Sequence, residues 1–113
     1  MRIGYIRVST EKQNPDNQRE EIRRFAEEKS FEIDDWITET VSGKTRYRKR
    51  KLGRVLRKLK AGDTLVVTEI SRLSRSLTEI MEIMGYCVER GICVYTTKER
   101  YTFDNSINSK VLC

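Results

Sequence analysis

The spacing of hydrophobic residues changes period along this chain. Ile3, Tyr5, Ile6 and Val8 crowd together with little polarity between them, which predicts a first strand over Arg2–Val8. Apolar positions then thin out. Within "DNQREEIRRFAEEK", Ile22, Phe25 and Ala26 make the packing face of a helix, with Pro15 favouring its start and Asn14 as its cap. A second strand is expected in "FEIDDWITE". Leu52, Val55, Leu56 and Leu59 follow the i, i+3, i+4, i+7 spacing of a second helix, with Gly62 as its stop. "TLVVTEI" reads as a buried strand and "ICVYTT" as a fourth one. Between them Leu77, Ile80, Met81, Met84 and Val88 form the stripe of a third helix, closed by Gly91. Strands alternating with helices predict an α/β fold, a three-layer sandwich around a mainly parallel sheet of about four to five strands.

Charge changes this picture in one place. "TVSGKTRYRKR" has no apolar rhythm and reads as a mobile basic loop. From Lys44 to Lys60 there are ten basic residues and no acid, so the other thirteen of 23 Lys and Arg face all 17 acids. The net charge of +6 is therefore concentrated on one region, as a polyanion-binding surface requires. A solvated loop and helix face is the plainer alternative.

Composition narrows the class. At 113 residues, 37% hydrophobic and 35% charged, the chain suits one soluble domain, residues 1–113, with no repeat or internal boundary. No apolar run approaches the roughly 18 residues of a membrane span. The N-terminus opens directly on strand-like sequence, so no signal peptide is expected. Cys87, Cys93 and Cys113 lack metal-ligand spacing and the chain has no histidine, which argues against zinc or disulfides and for a reducing cytoplasm. "NSINSKVLC" starts a helix at Asn105 or Ser106 that is too short to be stable alone.

Candidate chemistry gathers where strands end. In "GYIRVSTEKQ", Tyr5, Arg7 and Ser9 point the same way if the strand runs that far. Ser9 lies at one carboxyl end, and Ser71, Arg72 and Arg75 just past another, where such sheets collect functional groups. If "SRLSRS" opens a helix, Arg72 and Arg75 share a face. Three guanidiniums and a hydroxyl then suit a phosphodiester, because guanidinium forks onto phosphate oxygens and stabilises the charge built up by serine attack. The lack of histidine excludes a Ser-His-Asp triad. No obvious carboxylate cluster for magnesium is present, although Asp63 and Glu69 are scattered acids. Taken singly, Ser9 reads as a turn residue and Arg7 as a surface cation. Arg72 and Arg75 flank a helix start, Gln13 and Gln18 face solvent, and Cys87 and Cys93 are buried thiols.

Together, "YIRVST" and "TLVVTEISRLSRS" resemble the catalytic domain of the serine recombinases, the resolvase and DNA-invertase family, over essentially the whole chain. The resemblance places Ser9 on the nucleophile, Arg7 on its partner arginine, Arg72 and Arg75 on the second arginine pair, and Tyr5, Gln13 and Gln18 on supporting positions. It implies serine attack on duplex DNA at a paired recombination site, a 5′-phosphoserine link, a free 3′-hydroxyl, and rejoining after subunit rotation without metal, nucleotide or other cofactor. Inversion is placed ahead of resolution or transposition.

The resemblance also implies a homo-oligomer, a dimer that becomes a tetramer in the synapse. A long oligomerisation helix begins near Ser106 in the family, with a DNA-reading domain beyond it, so the chain reads as truncated near that helix with the DNA-binding domain absent. Two positions depart from the pattern. Ser71 stands where aspartate is common, with Glu69 as a substitute. Lys49, between Arg48 and Arg50, stands at the basic-loop arginine, so which of the three meets phosphate stays open. A non-catalytic DNA-binding or regulatory module and a small phosphate-ester hydrolase are the competing readings.

Overall fold

The computed structural model describes residues 1–10, 13–42 and 44–104. Among these, strands and helices alternate: β1 (Arg2–Val8), α1 (Asp16–Glu28), β2 (Asp35–Thr40), α2 (Lys51–Lys58), β3 (Thr64–Val67), α3 (Leu77–Glu89), β4 (Cys93–Thr96) and β5 (Tyr101–Phe103). The sheet order is β2-β1-β3-β4-β5. The first four strands are parallel, and β5 returns antiparallel against β4 as an edge.

Alternation along β1 feeds two cores. Ile3 and Tyr5 enter one with Leu52, Leu56, Leu65, Val67, Ile83, Cys87 and Val94. Ile6 enters the other with Ile22, Phe25 and Val66. Thus α1 covers one face of the sheet, and α2 and α3 cover the other, which is the expected three-layer α/β sandwich. Each fully buried aliphatic side chain contributes about 1.5–3 kcal/mol relative to exposure. The first strand is central, with β2 added on one side and β3 on the other. The order therefore reverses between β1 and β3, and the crevice beyond their carboxyl ends is where open α/β sheets bind ligands.

The structure revises several boundaries. The second helix stops at Lys58, with Leu59 already extended; Gly62, at φ 92°, instead turns the chain into β3. Arg72 lies in a single 3-10 turn, Ile70–Arg72, and α3 starts only at Leu77, so "SRLSRS" does not open the helix. The buried stripe of α3 is Glu79, Ile83 and Cys87, while Leu77 is 71% and Met81 66% exposed. Apolar residues occupy more than one face of this helix, and the sheet accepts the Ile83 and Cys87 side.

The basic loop is anchored rather than featureless. A 3-10 turn, Tyr47–Lys49, buries Tyr47, and Arg50 follows it into the interior. Asn14 does serve the start of α1, its Oδ1 accepting the Asp16 N–H at 2.9 Å. The helix expected from Asn105 or Ser106 lies outside the described residues.

Candidate active site

Ser9 is the first residue after β1 and is half-buried at the crevice. Its backbone N–H donates to Gln13 Oε1 at 2.6 Å, and its hydroxyl oxygen accepts from Arg7 Nη1 at 3.2 Å. Tyr5, Arg7 and Ser9 do share a side. Yet Arg7 is no surface cation: it is 1% exposed. Its Nε donates to the Arg72 carbonyl at 2.9 Å, Nη2 to Ser71 at 2.8 Å, and Nη1 also to Val41 at 3.0 Å. One side chain thus ties the segments after β1, β2 and β3 together. Burial, and then the charges of Arg50, Arg72 and Arg75, push the Arg7 pKa down, against an opposing pull from Tyr5.

Arg72 answers from the second motif, its Nη1 donating to the Arg7 carbonyl at 3.2 Å. Glu69 stands 3.5 Å from Arg72 Nη2, so that carboxylate orients the arginine while Ser71 contributes its carbonyl and keeps an exposed side chain. Arg75 is exposed and lines a cleft with Lys44, Arg46, Ser74 and Thr78. Ser76 then caps α3, accepting from the Glu79 N–H at 3.3 Å. Gln18 does not face solvent: it is 7% exposed and its Nε2 holds the Arg7 carbonyl at 3.0 Å.

A second layer lies behind these groups. The Tyr5 hydroxyl donates to Glu39 at 2.5 Å and accepts from Arg50 Nη1 at 3.2 Å. Arg50 Nη2 donates to the Leu73 carbonyl and lies 3.7 Å from Glu79. Glu39 also accepts the Lys51 and Leu52 N–H groups at 2.9 and 3.2 Å, so a carboxylate sits on the positive end of α2. Burial and the Glu39 hydrogen bond drive the Tyr5 pKa upward, with Arg50 opposing them.

Of the three basic-loop candidates, Arg50 reaches this cluster. Lys49 is exposed, and Arg48 pairs with Glu82 at 3.7 Å. Asp63 sits at the opposite end of the sheet, held by the N-terminal ammonium at 2.8 Å.

Sequence reasoning missed Glu39 and Glu79. Two signals were available. Glu39 has the same strand parity as core-facing Ile37 and lies in register with Arg7. Ser76 and Glu79 have the spacing of a capping box. The Glu79 carboxylate turns inward instead, accepting the Tyr47 N–H at 3.3 Å.

Chemically, the crevice offers an accessible hydroxyl beside fixed positive charge, arranged for an anionic group that gains charge on attack. Residues 2–112 match the family model described as resolvase, N terminal domain. The chain is 42% identical over 92 residues to the serine recombinase Gin of Escherichia phage Mu, covering 81% of this chain and 44% of that protein. It is 29% identical over 109 residues to the transposon Tn552 resolvase of Staphylococcus aureus, covering 96% and 52% respectively. The N-terminal catalytic domain of TP901-1 integrase is similar in fold, with a TM-score of 0.82, 24% identity, and coverage of 95% of this chain and 85% of that one. The chain spans about half the length of the curated relatives it matches.

Proposed function

Because the chain belongs to the resolvase family, we propose that it performs the DNA-cleaving and rejoining step of a site-specific recombinase, with Ser9 as nucleophile. The observation that carries this reading is the half-buried Ser9 hydroxyl, held at 3.2 Å by a buried guanidinium at the point where strand order reverses. In the proposed step the Ser9 oxygen attacks a DNA phosphorus and the bond to the 3′ oxygen breaks. A 5′-phosphoserine ester forms, and the departing 3′ oxygen takes up a proton as the serine loses one. One phosphoester replaces another, so the reverse attack by a 3′-hydroxyl rejoins the strand without an energy source. A homo-oligomer brings paired sites together for exchange.

The arginines divide the work. Arg72 and Arg75 meet the non-bridging oxygens. Arg7 has donated to three backbone carbonyls, so it positions Ser9 and lowers the cost of alkoxide character through its charge. Arg50 stands behind, steadying Tyr5 and the turn at Leu73. The regulatory alternative rested on Ser71 and Lys49. It weakens because Glu69 pairs with Arg72 and Arg50 occupies the inner position.

The test is a denaturing gel of protein incubated with supercoiled plasmid carrying a recombination site. A protein–DNA adduct that survives detergent and is lost in Ser9→Ala is expected. An adduct that persists in Ser9→Ala refutes the assignment.

A further inference from the structure

The run of positive charge over residues 44–60 does not form one surface. Arg46 and Arg48 lie 3.6–3.9 Å from the carboxylates of Glu79 and Glu82, and Arg50 is buried. The cations that follow are different. Lys51, Arg54, Arg57, Lys58 and Lys60 are all exposed, and none forms an ion pair among the described residues. Because α2 turns Leu52, Val55 and Leu56 inward and carries no acid, its outward face is wholly cationic. Neighbouring acids pair with none of these cations. Asp63 holds the N-terminal ammonium and the Lys60 N–H, each at 2.8 Å, and Glu39 holds Tyr5 and the first turn of α2. The exposed Asp35, in the same cleft as Lys51 and Arg54, accepts the Trp36 N–H at 2.8 Å. On α1, by contrast, Arg23 and Arg24 share Glu20.

We propose that Arg54, Arg57 and Lys58, flanked by Lys51 and Lys60, form a second contact for the backbone of duplex DNA, separate from the one at Ser9. This rests on the proposed function, since it supposes that the chain acts on DNA. The helix starts against the Glu39–Tyr5 cluster and runs to the opposite end of the sheet, so a duplex along it continues away from the crevice. From Lys51 to Lys58 the helix rises roughly 10 Å, a length over which a duplex presents on the order of six phosphates. Ile3, Ile37, Val55 and Leu59 line a cleft beside these cations, but among the described residues the face of Arg54, Arg57 and Lys58 carries no aromatic anchor of the kind that centres a protein interface. A phosphate backbone needs none.

Fluorescence anisotropy with a labelled 30-base-pair duplex of mixed sequence tests the assignment between about 25 and 200 mM salt. The comparison is between Arg54→Gln/Arg57→Gln/Lys58→Gln and a control with equal charge loss on the other face, Arg23→Gln/Arg24→Gln/Lys29→Gln. Glutamine keeps helix propensity at these exposed positions. At about 0.9 counterion per phosphate, three lost contacts make the slope of log K against log salt shallower by roughly three and weaken binding at least 100-fold near 0.1 M. The control is expected to stay within about threefold of wild type. Unchanged binding by the α2 triple, or equal losses in both triples, overturns the second contact while leaving the site at Ser9 standing. Absence of duplex binding by the wild-type chain overturns the reading on which it rests, and the inference with it.

Discussion

Replacing Arg7 by methionine keeps a buried, unbranched stem and removes the guanidinium. Three backbone carbonyls, those of Val41, Ser71 and Arg72, then lose donors at 3.0, 2.8 and 2.9 Å, and Ser9 loses its partner at 3.2 Å. A buried acceptor left without a donor costs about 1–3 kcal/mol, so three of them set a gross loss of several. Two effects offset it: the guanidinium no longer has to be desolvated, and its repulsion with Arg50, Arg72 and Arg75 disappears. The net expectation is a destabilisation of about 3 kcal/mol. For a domain of this size that is a Tm lower by roughly 10–15 °C. Trp36 is the single tryptophan and lies on β2, so its fluorescence reports urea unfolding directly. With a slope of about 1.5 kcal/mol per molar, the midpoint moves down by roughly 2 M. If Arg7→Met unfolds within about 0.5 M of wild type, the guanidinium does not hold the three segments together.

Two further outcomes follow from the inner layer. Tyr5→Phe removes the hydroxyl between Glu39 and Arg50 but leaves Glu39 its two backbone donors, so a loss of about 1–2 kcal/mol is expected in the same urea assay. Stability also falls in alkali. Burial pushes the Cys87 thiol up to about 12, against about 8.5 for an exposed thiol. Between those values the unfolded chain has lost a proton that the folded chain keeps. The contribution is complete below about pH 8.5 and declines above it by about 1.4 kcal/mol per pH unit for that one group. The raised Tyr5 pKa adds to the decline above about pH 10. Urea midpoints at pH 8, 9 and 10 read the slope, and Cys87→Ala removes the thiol's share.

The parts of this molecule legible in the sequence are those set by short-range patterning. β1 matches its expected span, Arg2–Val8, because dense β-branched and aromatic residues leave no alternative period. The helix after Pro15 is equally direct. The stripe of α3 holds only in part, with Met84 packed on the core and Ile80 and Val88 half-buried, because an amphipathic pattern states which faces are apolar, not which one a sheet selects. Leu77 and Met81 have the right spacing and the wrong side. The basic loop hid its anchors for another reason: one tyrosine and one arginine make no rhythm, and Arg50 is buried only because Tyr5, Leu73 and Glu79, all distant in sequence, receive it. The motifs placed Ser9, Arg7 and Arg72 correctly near one another. They did not tell that Arg7 would donate to carbonyls, which depends on where β2 and β3 end.

Charge balance explains how so many cations coexist in this crevice. Arg50, Arg72 and Arg75 each act on Arg7 across a partly buried region, where effective dielectric is far below that of water. Unopposed, four guanidiniums would destabilise the fold. Glu39, Glu69 and Glu79 supply three opposing charges, through Tyr5 and α2, through Arg72, and through Arg50 respectively. The remainder is positive, because Glu69 is shared with Lys98 at 3.6 Å and Glu79 with Arg46 at 3.9 Å, and neither the buried Arg7 nor the exposed Arg75 has a carboxylate partner among the described residues. A phosphodiester carries one negative charge in its ground state and gathers more on its oxygens as the serine attacks. On the proposed function, this excess of positive charge favours the charge added as the serine attacks a phosphodiester, and that differential accelerates the reaction. On that reading Arg75→Gln removes one exposed positive charge without unpairing a carboxylate, leaving a stable protein with the hydroxyl in place but less of the excess charge that attack requires.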